Sequence, residues 1–303
     1  MRDMALLEVE ALTVVYGKEH ALSDVSFQLE HGTVLGVIGA DGAGKTSLLR
    51  TVIGLVKPAA GHVSIHNGTG IGYVPQQFSL YGDMTLEENL SFFGSLNGLS
   101  GRTLQNRMAE LLDFTGLTPF RQRMADALSG GMKQKLSLAV CLIHHPECVI
   151  LDEPTNGVDP VARRELWELI GEVRKEGVGV LVSTQYLDEA EQCDHVLLLH
   201  HGHIIQFGSP EQMCDAFQYR LWVLPESGQQ RMEVETLSGK PGIRHVYAKG
   251  NDTVLVIENE EEAHRSLREW EQGIGVFFTV EERKPSVEDV FISFVEAEEE
   301  VDR

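Results

Sequence analysis

The sequence predicts an α/β protein with a parallel core sheet, an antiparallel β lead-in, an inserted helical subdomain and a small C-terminal α/β domain. Three observations carry this expectation. A wholly apolar strand, Val34 to Ile38, runs into a glycine-rich loop and then a helix-patterned stretch. After a long helical interlude, apolar strands alternate with helices again, the pattern of a parallel sheet covered on both faces. Past Phe217 the chain changes to shorter β-like segments, which fits a separate unit.

The elements follow in chain order. LEVEALTVVY and ALSDVSFQL are β-rich and separated by Gly17 and a short polar turn, an antiparallel opening to a sheet. Val34 to Ile38 leads through GADGAGKTS into the helical SLLRTVIGL. Between about 75 and 145 the apolar spacing of LEENLSFFGSL, RMAELLDFTGL and KLSLAVCLI is helical, with Gly or Pro at the boundaries. CVILD, a helix after Pro160, GVLVST, a short helix around Glu189, and VLLLH paired with HIIQF return the chain to the sheet. The domain boundary is expected at 217, with residues 218–303 supplying YRLWVL, GIRHVYA, TVLVIE, a helix from Glu261 to Trp270, VFFTVEE and a last helix from Val287. There is no internal repeat.

Composition narrows the function classes. A hydrophobic fraction of 42% and a charged fraction of 23% are those of an ordinary globular protein. The formal net charge of -21 argues against nucleic acid as a partner, because binding along phosphates needs clustered Lys and Arg. The acidic runs Glu258 to Glu262 and Glu296 to Glu300 read as solvated faces. The start, MRDMALLEVE, has no apolar signal region, and polar residues interrupt every apolar run before the ~20 residues that a spanning helix needs. A cytoplasmic location is expected. Cys141, Cys148, Cys193 and Cys214 show no CxxC pairing and read as buried, reduced thiols. The histidines at 144, 145, 200, 201 and 203 sit beside turn signals without a ligand geometry and read as surface residues.

The segment Gly39, Ala40, Asp41, Gly42, Ala43, Gly44, Lys45, Thr46 matches the P-loop pattern, followed by Ser47. Its glycines let backbone N–H groups close around phosphates at a helix N-terminus, and Lys45 adds a positive charge for the β- and γ-phosphates. Thr46 is a candidate Mg²⁺ ligand. Alone, this motif allows kinases, GTPases and many ATPases. Asp152 and Glu153 stand at the carboxyl end of an apolar strand, where open α/β sheets bind ligands. Asp152 suits the metal, through water, and Glu153 suits orienting or deprotonating an attacking water. Ser129, Gly130 and Gly131 open a helix, so their N–H groups suit a γ-phosphate, while Ser129 also serves as an ordinary N-cap.

LSGGMKQ, from Leu128 to Gln134, resembles the signature motif of ABC transporter ATPases, and it lies upstream of the acidic strand as in that family. The resemblance runs from about Leu7 to Phe217 and implies a P-loop NTPase of ABC type that binds ATP and Mg²⁺. It implies that the signature faces the ATP of a second ABC ATP-binding domain, identical or not, and that the pair works with transmembrane subunits. Within the resemblance, Tyr16 corresponds to the aromatic that stacks on adenine, Gln76 to the glutamine that touches Mg²⁺ and water, and Asp159 to the aspartate at the dimer seam. The C-terminal extension with PSVEDVFISF is similar to drug-efflux ATPases of the daunorubicin-resistance type, which serve ABC-2 exporters. That likeness implies peripheral attachment to the inner face of the cell membrane through ABC-2-type subunits, with docking in the helical subdomain from Gln76 through Phe93.

The chain departs from the pattern in two places. In LVSTQYLDEAE the family usually has histidine at the position of Gln185, and glutamine carries neither proton nor charge. Slower hydrolysis with retained ATP binding is expected. The alternative reading is therefore a degenerate, mainly regulatory ATP-binding half of a heterodimer. In the P-loop, Ala40 and Asp41 replace the common proline and asparagine, and a carboxylate there adds repulsion toward phosphate. Soluble ABC proteins of translation or DNA repair fit poorly, since the chain has neither two ABC units nor a long coiled-coil insertion.

Overall fold

All five residues of Val34–Ile38 are buried, and such a strand needs neighbours on both sides and cover on both faces. The computed structural model supplies both. It describes residues 5–66, 70–225, 236–275 and 277–301, with side chains described to 295. The chain forms two compact units, 1–209 and 210–303. The division falls eight residues ahead of the one expected from texture, between Ser209 and Pro210.

The first unit opens with β1 (Leu7–Tyr16), β2 (Glu19–Leu29), β3 (Val34–Ile38), α1 (Lys45–Val52), β4 (Ala60–Ile65) and β5 (Ile71–Val74). It continues with α2 (Leu86–Leu96), α3 (Gly101–Phe114), α4 (Gly130–Cys141), β6 (Cys148–Asp152), α5 (Pro160–Lys175), β7 (Gly179–Thr184), β8 (His195–His200) and β9 (His203–Gly208). The six-stranded sheet runs β5-β6-β7-β3-β8-β9, parallel except for the β8–β9 hairpin. A separate antiparallel sheet has the order β2-β1-β4. Its third strand, β4, carries no sequence expectation, because AGHVSI has too little apolar alternation to read as a strand. Leu48, Leu49 and Val52 of α1 pack in one core with β1, β2 and the central strands.

Register places the functional residues. Ile38 at the end of β3 pairs with Thr184 at the end of β7, and Asp152 at the end of β6 pairs with Ser183. The chain therefore leaves three adjacent strands at one edge, carrying Gly39, Glu153 and Gln185. The segment after Gln185 is a short 3₁₀ helix of six residues, Leu187–Gln192, instead of an α-helix. In the helical interlude, α2 begins with a capping box in which Thr85 and Glu88 each satisfy the other's backbone N–H.

The second unit contains α6 (Pro210–Asp215), β10 (Arg220–Leu224), β11 (Ile243–Lys249), β12 (Asp252–Ile257), α7 (Glu260–Ile274), β13 (Glu281–Arg283) and α8 (Val287–Val301). Its sheet is antiparallel, in the order β11-β12-β10-β13. One face packs Trp222, Leu224, Leu255 and Ile257 against Ala263 and Leu267 of α7, and the other buries Leu221, Val223, Val254 and Val256. Of the expected strand VFFTVEE, Val276 lies outside the described residues, and among 277–282 the strand begins only at Glu281, where Glu281–Arg283 pairs with β10. The acidic run 296–300 continues α8 in its backbone, and its side chains lie outside the described residues. Cys141, Cys148 and Cys193 are buried free thiols, and Cys214 is only half-buried. Burial pushes the Cys148 thiol up to about 12, so it stays protonated and inert. No helix among the described residues is long and apolar enough to cross a membrane.

Candidate functional site

The loop from Gly39 to Gly44 joins β3 to α1, and two of its glycines are there for stated steric reasons. A Cβ on Gly39 would lie 2.2 Å from the Leu199 carbonyl oxygen. Gly44 has φ +109° and a Cβ there would lie 2.5 Å from the Ala21 carbonyl oxygen. Gly44 also stands at the N-cap of α1 with no side chain capping the helix, so the first-turn N–H groups remain for a ligand of negative charge. Ala40, Asp41 and Gly42 are exposed, Ala43 is buried, and Ser47 is half-buried with its carbonyl accepting from the Thr51 hydroxyl.

Beneath the loop, Lys45 is buried and its Nζ donates to the carbonyls of Gly39 at 2.9 Å and Ala40 at 3.0 Å. It also pairs with Glu153 Oε1 at 3.0 Å, both side chains being 4% exposed. The other Glu153 oxygen accepts from Gln76 Nε2 at 2.8 Å and Asn156 Nδ2 at 3.1 Å. Glu153 has φ 48°, a left-handed conformation that a bulky residue adopts only where its surroundings enforce it. Here its N–H donates to both the hydroxyl and the carbonyl of Ser183.

Asp152 is fully buried. Its Oδ1 accepts from Thr46 Oγ1 at 3.1 Å and Ser183 Oγ at 2.8 Å, while its Oδ2 is buried with no hydrogen-bond partner. Burial pushes its carboxyl up from the ordinary value, and Glu153 adds to this, against the two hydroxyl bonds and Arg50. An orphaned buried carboxylate oxygen beside a threonine hydroxyl fits a hard divalent cation and its water, so these residues suit Mg²⁺. The same buried charge lifts the Tyr73 phenol, after burial itself.

The remaining residues singled out by sequence lie farther along the same unit. Gln76 is largely exposed and reaches the cluster through its amide, and Gln185 is half-buried just past β7. Tyr16 is 48% exposed at the β1–β2 turn, pairing with Glu19 on the strand whose Ala21 abuts Gly44. Ser129 caps α4 by accepting from the Met132 N–H at 3.4 Å. Ser129 and Gly130 are exposed, whereas Gly131 is buried where a Cβ would lie 2.4 Å from the Ala162 methyl. Asp159 caps α5, accepting from Val161 and Ala162 N–H groups at 3.1 Å. Sequence reading missed Ser183, Asn156 and Arg50. The one available signal was the pair Ser183 and Thr184, two hydroxyls closing an otherwise apolar strand.

Comparisons with known proteins bear on the family of the chain. A family model described as ABC transporter matches residues 22–156. The Escherichia coli (strain K12) protein named probable multidrug ABC transporter ATP-binding protein YbhF is 38% identical over 252 residues, covering 79% of this chain and 43% of the relative. The chain thus spans less than half of that relative's length. The Bacillus subtilis (strain 168) protein named uncharacterized ABC transporter ATP-binding protein YxlF is 33% identical over 299 residues, covering 96% of this chain and 100% of the relative. A solved structure of an ATP binding subunit of an ABC transporter superposes with a TM-score of 0.62 at 32% identity, over 69% of this chain and 92% of its own.

Proposed function

The chain belongs to the ATP-binding proteins of ABC transporters, and from that premise we propose that it binds and hydrolyses Mg·ATP at the Lys45–Asp152–Glu153 cluster and powers an ABC-2-type exporter by dimer closure. The observation that carries the reading is the meeting of a lysine, a metal-ready carboxylate and a second carboxylate below an uncapped helix N-terminus. Bound Mg²⁺ supplies neutralisation of charge on the β- and γ-phosphate oxygens. Asp152 and Thr46 hold it. Lys45 turns its ammonium from the loop carbonyls and Glu153 to the phosphates. Glu153, released from that pair and steadied by Gln76 and Asn156, orients or deprotonates the attacking water.

Dimer closure is supported by the exposed Ser129–Gly130 helix start, which leaves N–H groups open to another chain's nucleotide. For a transmembrane partner the supporting feature is the aromatic group after Gln76: Tyr81 and Phe92 are 44% and 40% exposed and meet edge-on at 5.1 Å. Export is supported by the multidrug name of the Escherichia coli relative and by the C-terminal likeness. Attachment to the cytoplasmic membrane face follows from that partner. Work is done on the partner because ATP binds the closed state better than the open one.

Glu153→Gln tests the reading. The amide keeps the shape but loses the base, so Mg·ATP should remain bound and drive a shift to dimer in size-exclusion chromatography. A variant that turns over ATP at the parental rate removes Glu153 from the mechanism. The second reading, a mainly regulatory half of a heterodimer, is favoured by Gln185 alone, an uncharged residue directly after β7 where the family usually has histidine. An active purified chain with no second protein would dismiss it.

A further inference from the structure

The half-buried guanidinium of Arg163, one turn into α5, is bound on three sides by the segment that follows Gln185. Its Nε donates to Glu189 Oε1 at 2.6 Å, and its Nη2 donates to both Asp188 oxygens, at 2.7 and 2.6 Å. The guanidinium carbon lies 4.2 Å from the centre of the Tyr186 ring. Burial alone would lower its pKa, and the Glu189 and Asp188 carboxylates reverse that, so it remains charged. Glu189 is 3% exposed, and its second oxygen accepts from the Thr155 hydroxyl at 3.1 Å, two residues beyond Glu153. The Tyr186 N–H closes a turn onto Thr184 Oγ1 at 3.0 Å. Gln185 is therefore held between a strand end and a residue stacked on Arg163.

We propose that Arg163 is the positioning residue for Gln185: it fastens the first turn of α5 to residues 186–189 and so sets where the Gln185 amide stands relative to Glu153. This rests on the reading of Gln185 as part of the ATP site. Magnitudes separate positioning from plain stability. The pair with Glu189 is nearly buried on the carboxylate side and is the part that holds the fold. The Asp188 carboxylate is 74% exposed, and an exposed pair contributes little stability. What the planar fork adds there, with the ring stacked against it, is direction, which a lysine's point charge cannot supply. The turn that bears Arg163 also begins at the Asp159 cap and packs through Ala162 on Gly131 of α4. The same turn thus joins the signature helix to the segment that follows Gln185.

The test uses the full chain with Arg163→Gln and Arg163→Lys, each in the parent and in a Gln185→Ala background. Expected for both variants in the parent is a fall of about tenfold in single-turnover ATP hydrolysis, because small misplacements of a reacting group are costly, with calorimetric Mg·ATP affinity unchanged. In the Gln185→Ala background neither variant should slow hydrolysis further. Amide exchange at Tyr186 and Glu189 should speed up in Arg163→Gln while the P-loop stays protected. Equal rate losses in both backgrounds, full rescue by lysine, or unchanged exchange over 186–189 would each overturn the proposal. If Arg163→Gln does not fold, Asp188→Asn asks the same from the exposed end: a slowed single turnover sustains the clamp and a parental rate overturns it. Should the parent itself not hydrolyse ATP, the reading of the site fails, and the exchange measurement alone decides whether Arg163 holds the segment.

Discussion

Among the described residues, each unit of the molecule buries one aspartate completely, and the two are opposites. Asp152 in the first unit and Asp289 in the second are both 0% exposed. Asp152 has two neutral hydroxyls on one oxygen, no hydrogen bond on the other, and Glu153 next to it, with the Tyr73 phenol near enough to feel its charge. Asp289 accepts from Arg283 at 2.6 Å, from the Ser286 N–H and hydroxyl at 2.7 Å each, and from the Tyr247 hydroxyl. Burial is the largest influence on both and raises both. At Asp152 it wins, whereas at Asp289 the bonds from Tyr247 and Ser286, with Lys249, hold the carboxyl below its ordinary value. A buried carboxylate whose partners all lie inside the fold is a structural tie, reaching back to Ser286 at the start of α8. One with bonding capacity left over costs stability, which fits the metal-holding role proposed for Asp152.

That contrast can be broken experimentally, beginning with the largest effect. Lys45→Ala removes the positive charge of the P-loop, and two lost bonds to phosphate imply a fall of about 1,000-fold or more in Mg·ATP affinity. Calorimetric titration decides it, and parental affinity would mean the loop does not hold phosphate. Asp289→Asn should then cost about 3 kcal/mol, because Arg283, the Ser286 N–H and the Tyr247 hydroxyl lose a charged acceptor. The loss should show in denaturant unfolding of the second unit. The sign of its pH dependence follows from the lowered carboxyl: the folded state binds the proton more weakly, so Asp289 stabilises above the ordinary value of 3.8 and the benefit disappears as pH falls through the lower folded value. Unfolding followed between neutral and acid pH should show this loss in the parent and not in Asp289→Asn.

Gln185→His should raise single-turnover hydrolysis by about tenfold with ATP affinity nearly unchanged, since a contact to the γ-phosphate matters most as charge shifts in the transition state. A rate that stays flat or falls would show glutamine to be an adapted part of a working site. The smallest effect is the sharpest for the comparison. Asp152→Asn removes a carboxylate whose raised value makes it destabilising as pH rises through 3.8 and throughout the range above its folded value. Without nucleotide, the variant should melt at or slightly above the parent, within about 1 kcal/mol, while the melting shift on adding Mg·ATP should shrink. A large loss of stability without nucleotide would make Asp152 a structural tie like Asp289.

Much of the site was legible because its chemistry is local in sequence. The P-loop needs its glycines, Lys45 and Thr46 in one short run between a strand and a helix, and an apolar strand that ends in two acids stands out without any three-dimensional knowledge. Ser183, Asn156 and Arg50 were not legible, since a lone serine, asparagine or arginine acquires meaning only from the carboxylate it is brought beside. β4 escaped for a different reason: its pairing with β1 supplies bonds that AGHVSI does not advertise.

The sequence by itself determined which segments are buried strands, where the phosphate loop opens and which acids end β6, because these follow from side-chain pattern and backbone conformation within a few residues. Only the tertiary structure decided that Lys45 pairs with Glu153, that one oxygen of Asp152 is left open while Asp289 is fully bonded, and that Arg163 grips the segment after Gln185. Those outcomes depend on parallel strands set in register by side-by-side hydrogen bonding and on α5 packing beside them. Such contacts join residues far apart in the chain, and no local pattern encodes their distance.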